Sequence, residues 1–402
     1  MSASPYALPA FRRYWLTRVC TIMAFQMQAV ALGWQVYAWH HRAMDLAWVG
    51  LISFMPAVLL VLWIGQAADH FERRVVVISC QSSSLLLALG LATLTLLGHT
   101  DARLLWAFIF FLGSAKAFES PALAAMLPEL VSTEHLPRAL GASSAAMQVA
   151  VIGGPALGGL LYALSPAAVY TCAAGLYLAA MLALAPLRTP QRRSTTPPTL
   201  AHMLAGIRYI WERRILLGTL SLDLFAILLG GATALLPMVA HDILQAGPLG
   251  LGLLRSAPAA GALLVSLWLS RHSLRHGGLW MFAAVAGFGV CTIIFGLSHS
   301  LALSMVALAA AGGSDMISVV IRSAMVQLET PDAMRGRVSA VNFLFIGTSN
   351  QLGEFESGLT AAWLGAERAI VLGGIGSLLI AALWYQLFPE MRRHSGQVAT
   401  QE

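Results

Sequence analysis

The sequence predicts an all-α polytopic membrane protein of twelve transmembrane helices in two pseudo-symmetric six-helix bundles. Three observations carry that prediction. Of 402 residues, 58% are hydrophobic and 10% charged, against about a quarter charged in a soluble domain, so too little polar surface remains to cover apolar cores in water. The apolar residues gather into runs of about 20, the length that crosses hydrocarbon. The basic residues fall almost wholly on alternate connections between those runs.

In the first half the runs are Tyr14–Trp39, Ala47–Ala68, Val75–Leu97, Leu104–Met126, Ala139–Leu164 and Ala167–Leu187. The second half gives Ile215–Ala240, Leu249–Ser270, Leu279–Leu297, Leu301–Val326, Val338–Leu364 and Ala369–Phe388. Helices are expected throughout, because strands of a lipid-facing barrel are far shorter and alternate. Residues 1–13 lack a short apolar core followed by a small-residue cleavage site, so no signal peptide is expected. Cys20, Cys80, Cys172 and Cys291 lie singly in apolar stretches and read as reduced packing residues.

Of the 24 Arg and Lys residues, seventeen sit on one side of the runs, three (Arg42, Arg103, Arg368) on the other, and four (Arg18, Lys116, Arg255, Arg322) inside runs. The positive-inside rule makes the rich side cytoplasmic, with both termini there. The same sorting accounts for the net charge of +6 without nucleic acid.

Residues 188–214, with Pro190, Pro197 and Pro198, read as a cytoplasmic linker between bundles 1–187 and 215–389, with 390–402 as a cytoplasmic tail. Leu200, Leu204, Ile207 and Trp211 have helical spacing, which suits an amphipathic helix on the membrane surface or a solvated connector. Weak similarity between Pro128-Glu129-Leu130 through Arg138 and Pro331-Asp332 through Arg337 supports two related halves with a substrate path between them.

The loop after the second run reads Gly65-Gln66-Ala67-Ala68-Asp69-His70-Phe71-Glu72-Arg73-Arg74. It resembles the cytoplasmic loop signature of the major facilitator superfamily in Gly65, Ala68, Asp69, Arg73 and Arg74, and departs from it at His70 and Glu72. The resemblance implies the major facilitator fold and gives Asp69 a gating role near the start of the eleventh helix. The equivalent loop after the eighth run, Ser270 to Arg275, has no such aspartate, so an asymmetric gate is expected.

The fifth run carries Gly141, Ala150 and Gly154-Pro155-Ala156-Leu157-Gly158-Gly159. This is similar to the antiporter signature of that superfamily, with Ala150 in place of one glycine, and implies export. Physically, small residues four apart admit a close helix and Pro155 removes one backbone bond, which suits a hinge. Gly113 to Pro121, Leu127 to Val131, Thr330-Pro331-Asp332 and Arg335-Gly336-Arg337 are similar to the enterobactin-exporter-like branch. That likeness implies a siderophore or related product and a bacterial inner membrane. The fourth run departs from many drug/proton antiporters in having Ile109 and Phe110 where they place an arginine.

A charge at the centre of a span costs about 2.5–3.5 kcal/mol, so each calls for a partner or a wet cavity. The acids inside runs are Glu119, Asp223, Asp315, Glu354 and Glu356. Lys116 and Glu119 share a face at spacing three and either neutralise each other or line a cavity. Asp315, Ser318 and Arg322 form a stripe, with Asp315 deep and Arg322 towards the cytoplasmic end; each either meets a charge on another helix or, for Asp315, takes up a proton. Glu354 and Glu356 lie about 200° apart around their helix and cannot face one cavity, while Asn350 shares the Glu354 face. Asp223 reads equally as a helix-start carboxylate. Gln26, Gln28, Trp34, Gln35 and Asn342 offer neutral contacts or act as helix glue.

No phosphate-binding glycine loop is present, and Lys116, the only lysine, lies inside a run, which excludes ATP-driven pumping by this chain. No metal-ligand spacing appears among the histidines, and neither metal nor cofactor is expected. The expected function is a proton-coupled exporter of a small molecule, with protons as the coupled partner and the bilayer as solvent. Glu354 and Asp315 are the first coupling candidates and Glu119 and Glu356 the next. An importer of the same fold and a non-transporting membrane sensor are the alternatives.

Overall fold

The computed structural model describes residues 5–61, 63–64, 67, 71–98, 102–132, 134–187, 200–272 and 276–393. Among them the regular structure is all helical. Among the described residues nine helices are long and apolar enough to cross a membrane, with Ala43–Leu59 a shorter apolar helix. Many large apolar side chains on them, including Leu96, Leu164 and Leu182, point outward, as a lipid-facing surface requires.

The helices in order are α1 (Pro9–His40), α2 (Ala43–Leu59), α3 (Arg73–Leu96), α4 (Ala102–Leu130), α5 (Leu136–Leu164), α6 (Pro166–Leu184) and α7 (Leu200–Glu212). After them come α8 (Arg214–Gly230), α9 (Gly247–Leu269), α10 (Gly277–Gly296), α11 (Leu301–Leu328), α12 (Asp332–Leu364), α13 (Ala366–Leu387) and α14 (Pro389–Arg393). Sequence punctuates them in recognisable ways. Prolines open α1, α5 and α6 in the first turn, where the missing N–H costs nothing. Gly98, at φ 67°, and Gly365, at φ 85°, take positive-φ backbone, which glycine adopts without steric cost, at the ends of α3 and α12.

The seventh apolar run, expected to be one helix, is interrupted. After α8 the chain breaks at Gly231, passes through a 3₁₀ turn (Ala232–Leu235) and Leu236–Met238, and ends in a π-helical turn, Val239–Ile243. Gly230-Gly231 disfavours helix and Pro237 withholds an amide donor, while apolarity alone carries no record of such a break.

The chain forms two compact units. One comprises Met1–His40, Leu51–Pro197 and Ala246–Ser256; the other His41–Gly50, Pro198–Gln245 and Ala257–Glu402. In the first unit α1 packs on α5 and α6, and α3 on α4 and α6. Phe11, Tyr14, Val77, Met126 and Leu184 form a buried cluster at the end bearing the arginine-rich connections. Arg73 donates there to Glu129 Oε1 at 2.8 Å and to the Ala125 carbonyl at 2.6 Å. Arg74 donates to the carbonyls of Ala185 and Leu187, both at 2.9 Å. These arginines therefore also tie α3 to the ends of α4 and α6.

In the second unit α10 packs on α11 and α13, and α8 on α12 and α13. Two connector segments are folded against it. On α7, Ile210 is buried with Leu216, Leu220, Val326, Val338 and Val341, joined by Ile207 and Tyr209. The Tyr209 hydroxyl donates to the Glu329 carbonyl at 3.1 Å. Trp211 is exposed, while the side of α7 that docks on this unit is set by Ile207, Tyr209 and Ile210. Beyond α13, Met391 of the expected tail is fully buried against Gly218 and Gly278. Ile210→Ala is expected to destabilise the protein by about 2–5 kcal/mol and Trp211→Ala by less than about 0.5 kcal/mol, read as thermal midpoints of the purified protein.

Candidate functional site

Each unit holds its own polar cluster within the membrane-spanning helices. In the first, Glu119 of α4 is buried. Its Oε1 accepts a hydrogen bond at 2.9 Å from Gln81 Nε2 of α3, which also lies 3.0 Å from Thr21 Oγ1 of α1. Beside it the Tyr177 hydroxyl of α6 donates to Gln28 Oε1 at 3.1 Å, and Tyr170 donates to Gln35 Oε1 at 2.6 Å. The Lys116 ammonium stands over the Phe25 ring, 3.6 Å from its centroid, a cation–π contact. The two charges expected to face each other thus have further neighbours of their own. Gln81, Thr21 and Tyr177 were not singled out from the sequence, where polar residues in a span are commonly helix glue. Their convergence on one acid appears only with the helix rotations in place.

Gln26 sits on the side of α1 that meets α5. A Cβ on Gly154 would come 2.7 Å from Gln26 Cβ, and one on Gly158 would come 2.9 Å from Met27 Cα. A Cβ on Gly159 would lie 2.5 Å from the Pro248 carbonyl oxygen, and Pro155 itself is buried. The small residues of the fifth-span motif therefore bring α5 against α1 and against the start of α9, backbone to backbone.

In the second unit Asp223 and Arg322 form an ion pair between α8 and α11, and each side chain is 3% exposed. The Ser318 hydroxyl adds a hydrogen bond to Asp223 Oδ1 at 3.1 Å. Asp223 is thus no interfacial helix-start carboxylate: it is the partner that buried Arg322 requires, since a lone charge there would be strongly destabilising. Asp315, one turn from Ser318 on α11, lines a small cavity with Asp223, Ser318, Ala226, Ile227, Ala284, Val285 and Phe288.

On α12 the two glutamates diverge. Glu354 packs at Gly50, where a Cβ would come 3.1 Å from Glu354 Oε2. Glu356 accepts a hydrogen bond at 2.8 Å from Thr360 Oγ1, and Asn350 is exposed. Gly353, beside Glu354, meets the broken end of α8: a Cβ on it would lie 2.9 Å from the Ile227 carbonyl oxygen. Discontinuous helices next to intramembrane charge mark substrate or ion sites in transporters, and the sequence did not reveal this break. Of the gate loop, Gly65 and Asp69 lie outside the described residues, while Arg73 and Arg74 have the bonds given above.

Outside these clusters His41, His241 and Asp242 come together, their candidate ligand atoms all within 4.8 Å of one another. Close spacing in sequence could not reveal a group whose members lie in such distant segments.

The family model described as transmembrane secretion effector, within the major facilitator superfamily, matches residues 1–399. The chain is similar to the enterobactin exporter of Escherichia coli O1:K1 / APEC, with 27% identity over 394 residues, 96% of this chain and 93% of that protein. In fold it resembles a bacterial homologue of the human lysosomal transporter Spinster in an inward-facing, occupied conformation, at TM-score 0.74 and 13% identity over 98% of this chain and 100% of that one. A bacterial homologue of the iron transporter ferroportin gives TM-score 0.70 and 16% identity, over 96% and 99%. The chain belongs to the transmembrane secretion effector family of the major facilitator superfamily and is a multi-pass inner-membrane transporter of small molecules, not an enzyme.

Proposed function

We propose that this chain is a proton-driven exporter of a siderophore-like or drug-like small molecule, working by alternating access between bundles 1–187 and 215–389 with both termini cytoplasmic. Support for export comes from the secretion-effector family match, the enterobactin exporter relative and the glycine-proline motif of α5. The observation that carries proton coupling is the cavity where Asp315 lies beside the buried Asp223–Arg322 pair. Asp223 is committed to Arg322 and Ser318, so proton uptake at Asp315 changes the charge of the cavity without breaking that pair. A proton arriving from outside and a substrate leaving from inside then alternate in their demands on the same helix. Glu119, held by Gln81 in the first unit, is the second coupling candidate. Glu354 at Gly50 and Glu356 at Thr360 stand where they support α12 contacts.

The test is a comparison of small molecules inside and outside cells with the gene deleted and restored, in iron-poor and iron-replete growth. A compound retained inside only in the deletion strain is expected, and a catecholate or related iron chelator would place the chain with its relative. A compound left outside instead would mean import and overturn this reading.

A further inference from the structure

We infer that His41, His241 and Asp242 form a binding site for a divalent first-row transition metal ion of the Zn²⁺ class. Nothing in the transport reading uses these residues. His41 stands in the connection between α1 and α2, at φ 50°, in the left-handed region that ordinary side chains seldom occupy. His241 and Asp242 lie in the π-helical turn that ends the broken continuation of α8, and such turns recur at functional positions. All three belong to the same compact unit.

The chemistry of the donor set is specific. Two imidazoles and one carboxylate are the borderline nitrogen and oxygen donors that suit Zn²⁺ and its neighbours, with a coordination position left for water. The two histidine ring centroids lie 4.9 Å apart at an interplanar angle of 57°. His241 Nδ1 is 2.7 Å from Asp242 Oδ1. That closeness leaves a small turn of either side chain to present both as ligands to one ion. In a tetrahedral site with bonds of about 2.1 Å, donor atoms stand about 3.4 Å apart. The present envelope of 4.8 Å closes to that by rotation of side chains that are exposed or half-exposed. A bound ion staples the α1–α2 connection to the end of the α8 continuation, and that connection then moves only when the metal leaves.

The experiment is Zn²⁺ titration of the purified full-length chain in detergent, free of any histidine tag, by calorimetry alongside thermal melts with and without Zn²⁺. One Zn²⁺ per chain and a raised midpoint are expected. His41→Ala and His241→Ala should each weaken binding at least about tenfold, the scale on which even residues that merely support ligands act, and should abolish the zinc-dependent rise. Their metal-free midpoints should match the parent, since the side chains are not core. His299→Ala, which removes another histidine–carboxylate contact, to Glu367 at 3.2 Å, should leave binding intact. No stoichiometric binding to the parent, binding undiminished in the His41→Ala/His241→Ala variant, or loss in His299→Ala would each overturn the site.

Discussion

Arg322→Ala should destabilise the protein by about 3–5 kcal/mol, because it strands the Asp223 carboxylate in a site that holds it at 3% exposure. A buried pair is poor evidence of stability when replaced whole: two apolar residues of similar size are often neutral or better, by about 1–4 kcal/mol. Asp223→Leu/Arg322→Met is therefore expected to recover the thermal midpoint that Arg322→Ala loses. Concentrative transport should not return with it, since the charge environment of the Asp315 cavity is gone. A double variant that is both stable and fully active would assign the pair to packing alone.

Asp315→Asn is expected to separate transport from its driving force. The amide keeps the size of the side chain and cannot carry the proton. One pH unit is worth about 1.4 kcal/mol, a tenfold gradient, so with one proton per substrate the parent should sustain about tenfold accumulation per unit of ΔpH. The variant should equilibrate substrate and go no further. The matching variant Glu119→Gln tests whether the first unit shares the task, because the amide can still meet Gln81. Full coupling in both would remove these acids from the mechanism.

The parts legible in the sequence were those with a local signature. Apolar length pointed to the nine helices that, among the described residues, are long and apolar enough to cross a membrane; on α12, Glu354 packs at Gly50 and Glu356 bonds Thr360. What stayed hidden depends on how helices are rotated against one another. Asp223 and Arg322 sit on separate helices, and no periodicity pairs them. Gln81 and Thr21 gave no signal beyond being polar, yet they converge on Glu119. The break at Gly231 was masked by an apolar run that reads as continuous. Helical spacing on α7 does not tell which side meets protein, and it is Ile210 that is buried there while Trp211 is exposed. Asp69 was reached by resemblance alone.

The central claim is export driven by protons through an acid in the second unit. It is tested most directly in everted membrane vesicles with an acidic lumen, given the compound that the deletion strain retains. The account predicts accumulation in vesicles carrying the parent chain, collapse on adding a protonophore, and equilibration without accumulation in Asp315→Asn. Accumulation indifferent to both the protonophore and the substitution would contradict it.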